Sequence, residues 1–104
     1  MLLLNIDYVP GREIAEALGI VKGTTVQSKN FGRDFMAGMK TLVGGEIVGY
    51  TEMLTEARQI ATKRMVDEAE RLGADAVINI RFSSSSVMQG AAEVVAYGTA
   101  VRLS

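Results

Sequence analysis

Apolar residues recur at three- and four-residue steps through the middle of the chain, a spacing typical of an α-helix with one buried face. The predicted helix begins at Gly45 or Glu46 and ends at Leu72, and Gly73 follows as its C-terminal stop. Charged side chains occupy the opposite face, so we expect the apolar face to be buried. That face comprises Tyr50, Met53, Leu54, Ala57, Ile60, Ala61, Met65, Ala69 and Leu72.

Two segments after this helix alternate with a period of two, which is typical of β-strands. In "AVINIRF", the side chains of Ile78, Ile80 and Phe82 are expected on one side of a half-buried strand. "SSSSVMQG" then reads as a polar link. "AEVVAYGTAVRL" follows as a second strand, and we expect the two strands to form an antiparallel pair.

Upstream of the helix the pattern predicts two more strands and one short helix. "LLLNI" and "IVKGTTVQS" read as strands, and Gly23 inside the second marks a bulge or a close approach of another backbone. "PGREIAEALG" predicts a short helix with Pro10 in its first turn and Gly19 at its end. The order indicates an α+β two-layer sandwich, an antiparallel sheet packed against one long helix plus short helices, in a single domain over residues 1–104.

The last predicted strand is apolar on both sides. Val94 and Ala96 alternate with Val95 and Tyr97, whereas a strand with one face in water should carry polar residues there. Because a two-layer fold covers only one face with its own helix, we expect a neighbouring copy of the chain to cover the other. A loop of the same chain is the alternative cover.

The glycine-rich stretch "QSKNFGRDFMAGMKTLVGGE" allows two interpretations. "DFMAGMKTLV" can form a short amphipathic helix with Asp34 as its N-cap and Gly44 as its stop. Alternatively, the Arg33 guanidinium and backbone N–H groups beside it could hold a small anion at the start of a helix. The stretch matches neither the phosphate-loop spacing nor the dinucleotide fingerprint.

Composition narrows the chemistry. The chain has no cysteine and no histidine, which excludes disulfides, thiolate nucleophiles, histidine-dependent triads and the ligands that zinc and copper prefer. Its net charge is -1, without a basic cluster, which argues against nucleic-acid binding. It shows neither a signal-peptide pattern nor a membrane-spanning stretch, so we expect a cytoplasmic protein without a membrane partner.

Acidic residues gather at the start of the long predicted helix. Negative charge there complements the helix dipole, which accounts for Glu46, Glu52 and Glu56 without any site. Glu52 and Glu56, four residues apart, could also bind a hard cation together or act as an acid and base pair.

The segments "TVQSKNFGRDFMAGMKTLVGGEIVGYTEMLTEAR", "EAERLGADAVINIRF" and "MQGAAEVVAYGTAV" together resemble the YbjQ-like family over nearly the whole chain. Members of that family are described as "putative heavy-metal-binding domain" proteins and have no established activity. The resemblance implies an α+β subunit similar in shape to dodecin that assembles as a homopentameric ring. It also groups five polar residues of the family motif near one loop and helix start: Arg33, Asp34, Glu46, Tyr50 and Glu52.

These observations support a hypothesis of an oligomeric, non-enzymatic binding protein. A metal cation would be held by Asp34, Glu46 and Glu52, and a small anionic ligand by Arg33, Asp34 and Tyr50. A small enzyme with a carboxylate base at a subunit interface is the alternative, as is a scaffold without any small-molecule site. The sequence identifies no cofactor, although a metal ion bound without cysteine or histidine is compatible with it.

Overall fold

The computed structural model describes residues 1–28 and 48–104, which form a four-stranded sheet with one long helix across one face. The element order is β-β-α-β-β. The elements are β1 (Leu2–Leu3), β2 (Ile14–Ser28), α1 (Val48–Arg71), β3 (Ala76–Met88) and β4 (Ala91–Leu103).

The sheet has the strand order β1-β3-β4-β2. β4 pairs antiparallel with β3 on one side and with β2 on the other, as expected for the two C-terminal strands. β1 runs parallel to β3, so the sheet is mixed rather than wholly antiparallel. The α+β two-layer architecture predicted from the sequence is therefore present.

α1 packs on the sheet through a narrow stripe of mostly small side chains. Because these residues recur every four positions, they lie along one line of the helix surface. The closeness of this packing depends on Gly23 of β2, where a Cβ atom would overlap the backbone atoms Ala61 O and Met65 N. Of the two alternatives predicted for Gly23, a bulge or a close approach of another backbone, the second is present. The buried stripe comprises Met53, Ala57, Ala61, Met65 and Ala69.

The C-terminal end of α1 is a glycine-terminated cap. Gly73 adopts φ 81°, Ala74 N–H donates to Ala69 C=O over 3.1 Å and Gly73 N–H donates to Glu70 C=O over 3.0 Å, the hydrogen bonds of a Schellman motif. Gly73 thus ends the helix as predicted, whereas Leu72, expected on the buried face, is exposed. No helix within residues 1–28 and 48–104 is both long and apolar enough to cross a bilayer.

The second face of the sheet is covered at one end by the chain's own N-terminal segment. Val9 packs with Val101 and Leu103 of β4 in a second, smaller cluster, against which Leu4 also packs. Further along β4, Tyr97 remains exposed on this face. The expected second cover is thus supplied by the same chain at one end of β4, and the argument for a neighbouring subunit applies to the other end alone.

The prediction of a short helix at "PGREIAEALG" is wrong, because β2 already begins at Ile14. Pro10 and Gly11 form a turn instead: Gly11 has φ 80° and Arg12 N–H donates to Val9 C=O over 3.0 Å. Proline followed by glycine is the signature of a type II turn, which requires positive φ at the glycine. The residues after it pair with the end of β4, and that long-range pairing overrides the weak tendency of a short segment to form a helix.

The prediction of a polar link at "SSSSVMQG" is also wrong for most of that segment. β3 continues through the four serines to Met88 and pairs with β4 throughout, so the turn is reduced to Gln89 and Gly90. Gly90 has φ 80°, a conformation that suits a tight hairpin. Serine is a weak strand former, and here the pairing with β4 determines the conformation.

A β-bulge at Asn79 changes which side chains of β3 share a face. Asn79 has φ 55°, and the pairing shifts between Ile78 and Arg81, so that one extra residue stands opposite β4. Ile78 therefore packs on the face covered by the N-terminal segment, whereas Ile80 packs against the helix-side core. The alternation predicted for Ile78, Ile80 and Phe82 on one side is corrected accordingly.

Candidate functional site

A groove lies between α1 and β3 on the helix side of the sheet. It consists of two adjoining cavities of about 540 and 550 Å³ that share Thr62 and the ring of Phe82. Phe82 is 48% exposed, so much of its ring is open to solvent. The first cavity is lined by Thr55, Arg58, Gln59, Thr62, Lys63 and Phe82, and the second by Leu3, Leu4, Asn5, Thr62, Ile80, Arg81 and Phe82.

The groove is lined by both apolar and positively charged side chains. Three cationic side chains contribute to it, and the described lining residues include no aspartate or glutamate. Lys63 is compensated by Asp67, whose carboxylate lies 3.2 Å from its Nζ. Arg58, by contrast, donates to the neutral Thr55 Oγ1 over 3.3 Å, and Arg81 donates to Asn5 C=O over 2.9 Å. The electrostatic character of the groove therefore favours an anion.

The backbone of each element places these side chains. Thr55, Arg58 and Thr62 lie three and four residues apart, which aligns them along one side of α1. Thr62 Oγ1 donates to Arg58 C=O over 2.7 Å, so its hydroxyl is satisfied within the helix. On the sheet, the bulge at Asn79 turns Phe82 toward the helix side, where it completes the groove.

The sequence did not indicate this groove. The period-two pattern predicts Phe82 on the same side of a half-buried strand as Ile78 and Ile80, and the helical period predicts Arg58 among the charged residues of the opposite helix face. The one local signal was Asn79, because asparagine is the non-glycine residue that most readily adopts positive φ. A bulge recognised there would have predicted the shift of Phe82.

Most of the site residues predicted from the sequence lie outside the described residues. Arg33, Asp34 and Glu46 belong to that part of the chain, as does the short helix predicted to begin at Asp34. Tyr50 and Glu52 lie in the first turns of α1, where Tyr50 is half-buried and Glu52 is exposed. The grouping of these five residues therefore stays a prediction.

The described residues do not fit a heavy-metal centre. Within residues 1–28 and 48–104, no three aspartate, glutamate, cysteine or histidine side chains stand close enough together to hold a metal ion. The sequence also lacks both thiolate and imidazole donors, which soft metals prefer. A carboxylate site for a hard cation would need Asp34 and Glu46 in addition to Glu52.

Comparison with known proteins gives one consistent result. A family model described as "Putative heavy-metal-binding" matches residues 1–104. The chain belongs to the YbjQ-like family. Its relatives include a UPF0145 protein of Clostridium novyi, 62% identical over 103 residues that cover 99% of both chains. A UPF0145 protein of Fervidobacterium nodosum is 64% identical over 99% of this chain and 95% of its own length.

A solved structure supports the fold of this YbjQ-like chain. A protein of unknown function from Pediococcus pentosaceus, assigned to the DUF74 family, superposes with a TM-score of 0.68 over 100% of this chain and 98% of its own. The two sequences are 16% identical, so the likeness concerns the fold alone. The family model confirms the family resemblance seen in the sequence, and this structure confirms the α+β architecture.

Proposed function

We propose that this YbjQ-like chain is the subunit of a homo-oligomeric binding protein that takes a small anionic ligand with an apolar body. The groove beside Phe82 carries the proposal, because its lining combines apolar with cationic side chains. Each of its two cavities, of about 540 and 550 Å³, lies in the range of roughly 300–1,000 Å³ that small-molecule sites occupy.

The polarity of the groove selects this ligand class. A fully polar anion would gain nothing from the exposed ring of Phe82. A neutral apolar molecule would leave the Arg58 guanidinium without a charged partner among the described residues. An anionic head on Arg58 with an aromatic or aliphatic body on Phe82 uses both surfaces, because hydrogen bonds between guanidinium and anionic groups are strong and directional. No carboxylate lines the described groove, so it offers no acid or base of the kind that the enzyme alternative requires.

The oligomeric part of the proposal has a separate support. Many large apolar side chains of the described residues remain exposed, among them Ile20 at 78% and Met88 at 67%, and exposed apolar surface commonly marks an interface. The number of five subunits comes from the family resemblance. A cation at Asp34, Glu46 and Glu52, an anion at Arg33, Asp34 and Tyr50, and a cytoplasmic location stay predictions from the sequence.

Substitution Arg58→Gln tests the binding proposal. Naphthalene-1-sulfonate serves as the probe, and its dissociation constant is measured by NMR titration with the shifts of Phe82 and Thr62 as reporters. We expect the dissociation constant to rise about tenfold, because a hydrogen bond to a charged group contributes about 1.5 kcal/mol even at an open site.

Arg71→Gln is the matched control, since Arg71 lies on the same helix outside the groove. It removes the same charge from the protein and should leave the dissociation constant within about twofold of the wild type, given the screening of distant surface charges. An equal loss in both variants, or shifts that fall elsewhere in the chain, would reject the groove as the anion site.

A further inference from the structure

One edge of the sheet is open at its upper end, the end where β4 begins. β1 pairs with the first residues of β3. The segment that follows β1 hydrogen-bonds to β3 as far as the bulge, where Ile80 N–H donates to Leu4 C=O over 3.0 Å. Beyond it, residues 82–88 have no strand beside them among the described residues. We call this stretch the open edge of β3. It is exposed throughout and carries no charged side chain.

The opposite edge, formed by β2, is protected over most of its length. Lys22 N–H donates to Glu68 Oε1 over 2.8 Å, and Arg64 Nη1 donates to Thr24 C=O over 2.7 Å, so side chains of α1 occupy the backbone groups that a further strand would use. Toward its start, β2 has irregular register between Ile14 and Gly19. Bulges and charged side chains are the devices that natural proteins use to block edge pairing.

At the end of β2, residues 26–28 lack these devices. We call this stretch the open end of β2. The backbone N–H and C=O groups of every second residue point away from β4, as those of Lys22 and Thr24 do. The backbone groups of Val26 and Ser28 therefore also point away from β4. Val26 is 59% exposed, and none of the three residues is charged.

The two unprotected stretches lie at the same level of the sheet. Val26 of β2 and Ser85 of β3 both stand opposite Glu93 of β4, and Ser28 and Met88 both stand opposite Ala91. β2 and β3 also run in the same direction, since each is antiparallel to β4. A second copy related by rotation about an axis along the strands would bring its open end of β2 beside the open edge of β3.

Exposed apolar side chains follow the same two edges. They form two different strips rather than one, which favours a contact between unlike surfaces. The strip on the β1 and β3 edge comprises Leu2, Leu3, Phe82, Val87 and Met88. The strip on β2 comprises Ile14, Ile20 and Val26.

We infer that the open edge of β3 in one copy pairs with the open end of β2 in the next, which extends the sheet across the subunit boundary. The partner is a second copy of this chain, and the contact is head-to-tail. Such a contact closes a ring when the rotation that relates neighbouring copies is a whole-number fraction of 360°. This inference rests on the oligomer proposed above and specifies its interface.

Two proline substitutions test the contact. The backbone N–H and C=O groups of Arg81, Ser83 and Ser85 point toward β4, so the N–H of Ser84 points away from it. Ser84→Pro therefore removes a hydrogen-bond donor from the open edge without breaking the ladder to β4. Val26→Pro does the same at the open end of β2. Native mass spectrometry of the wild type should give a five-subunit mass, and each variant should raise the dissociation constant of the assembly about a hundredfold.

Mixing the variants distinguishes a head-to-tail contact from a symmetric one. Ser84→Pro retains an intact open end of β2, and Val26→Pro retains an intact open edge of β3, so an equimolar mixture has one working interface. We expect a two-subunit species that contains one copy of each. If Val26→Pro alone forms a two-subunit species, β3 pairs with β3 and the inference is wrong.

Hydrogen exchange on the wild type provides a measurement that does not depend on a variant. The outward amides of Ser84 and Ser86 should exchange slowly in the assembly and at least a hundredfold faster after dilution to monomers. Within residues 1–28 and 48–104 no strand lies beside them, and the second copy supplies the acceptors. Ser84→Ala, which keeps the amide, is the matched control and should assemble as the wild type does. Fast exchange in an intact ring would overturn this interface alone, whereas a monomeric wild type would overturn the proposed oligomer itself.

Discussion

Substitution Gly23→Ala is expected to lower the free energy of unfolding by about 3 kcal/mol, the upper part of the range for overpacked cores. A Cβ atom at this position would overlap Ala61 O and Met65 N and would lie 2.8 Å from Arg64 Cβ. Two of these three atoms belong to the helix backbone, so no side-chain rotation can make room, and α1 must move away from β2. A domain of this kind has roughly 5–15 kcal/mol of stability in total.

Urea denaturation followed by circular dichroism, at one fixed protein concentration, measures this effect. Ala17→Val is the control, because it enlarges an exposed side chain of the same strand and should change the free energy of unfolding by less than about 0.5 kcal/mol. If Gly23→Ala is as stable as the wild type, the helix does not lie on β2 as closely as described.

Substitution Met65→Ala is expected to destabilise the fold by about 3 kcal/mol. Met65 is fully buried, and its two neighbours in the stripe of α1, Ala61 and Ala69, are both alanines. Its removal leaves a cavity between helix and sheet that these short neighbours cannot fill.

Met88→Ala is the matched control for this substitution. It deletes the same atoms from a side chain that is 67% exposed, so the free energy of unfolding of the single chain should change by less than about 0.5 kcal/mol. Equal destabilisation by both variants, measured as chemical denaturation midpoints, would contradict the assignment of Met65 to the core.

The groove illustrates how far the sequence leads and where it stops. Arg58 and Thr55 could be placed on one helix from their spacing, but their partner across the groove, Phe82, depends on a single bulge in β3. One inserted residue moves every following side chain of a strand to the opposite face of the sheet. A period-two pattern therefore cannot show which face a side chain occupies unless the register of the strand is known. The predicted loop site at Arg33 and Asp34 concerns residues outside the described part of the chain.

The sequence by itself determined the long helix, its end at Gly73 and the two antiparallel C-terminal strands, and it marked Gly23 as either a bulge or a close backbone approach. Each of these follows from a local property: a strong 3.6-residue period, the positive φ that glycine allows, a period of two, or the absence of a Cβ atom. Family membership was likewise evident from the sequence, because its motif extends over nearly the whole chain.

Only the tertiary structure decided the conformation of residues 14–19 and of the four serines, the bulge at Asn79, and the protection of the β2 edge by Glu68 and Arg64. Local preference in these segments is weak, and hydrogen bonds to residues far away in sequence outweigh it. The groove and the two open edges arise from those long-range pairings, because each surface is formed by elements that are far apart in sequence and adjacent only in the folded chain.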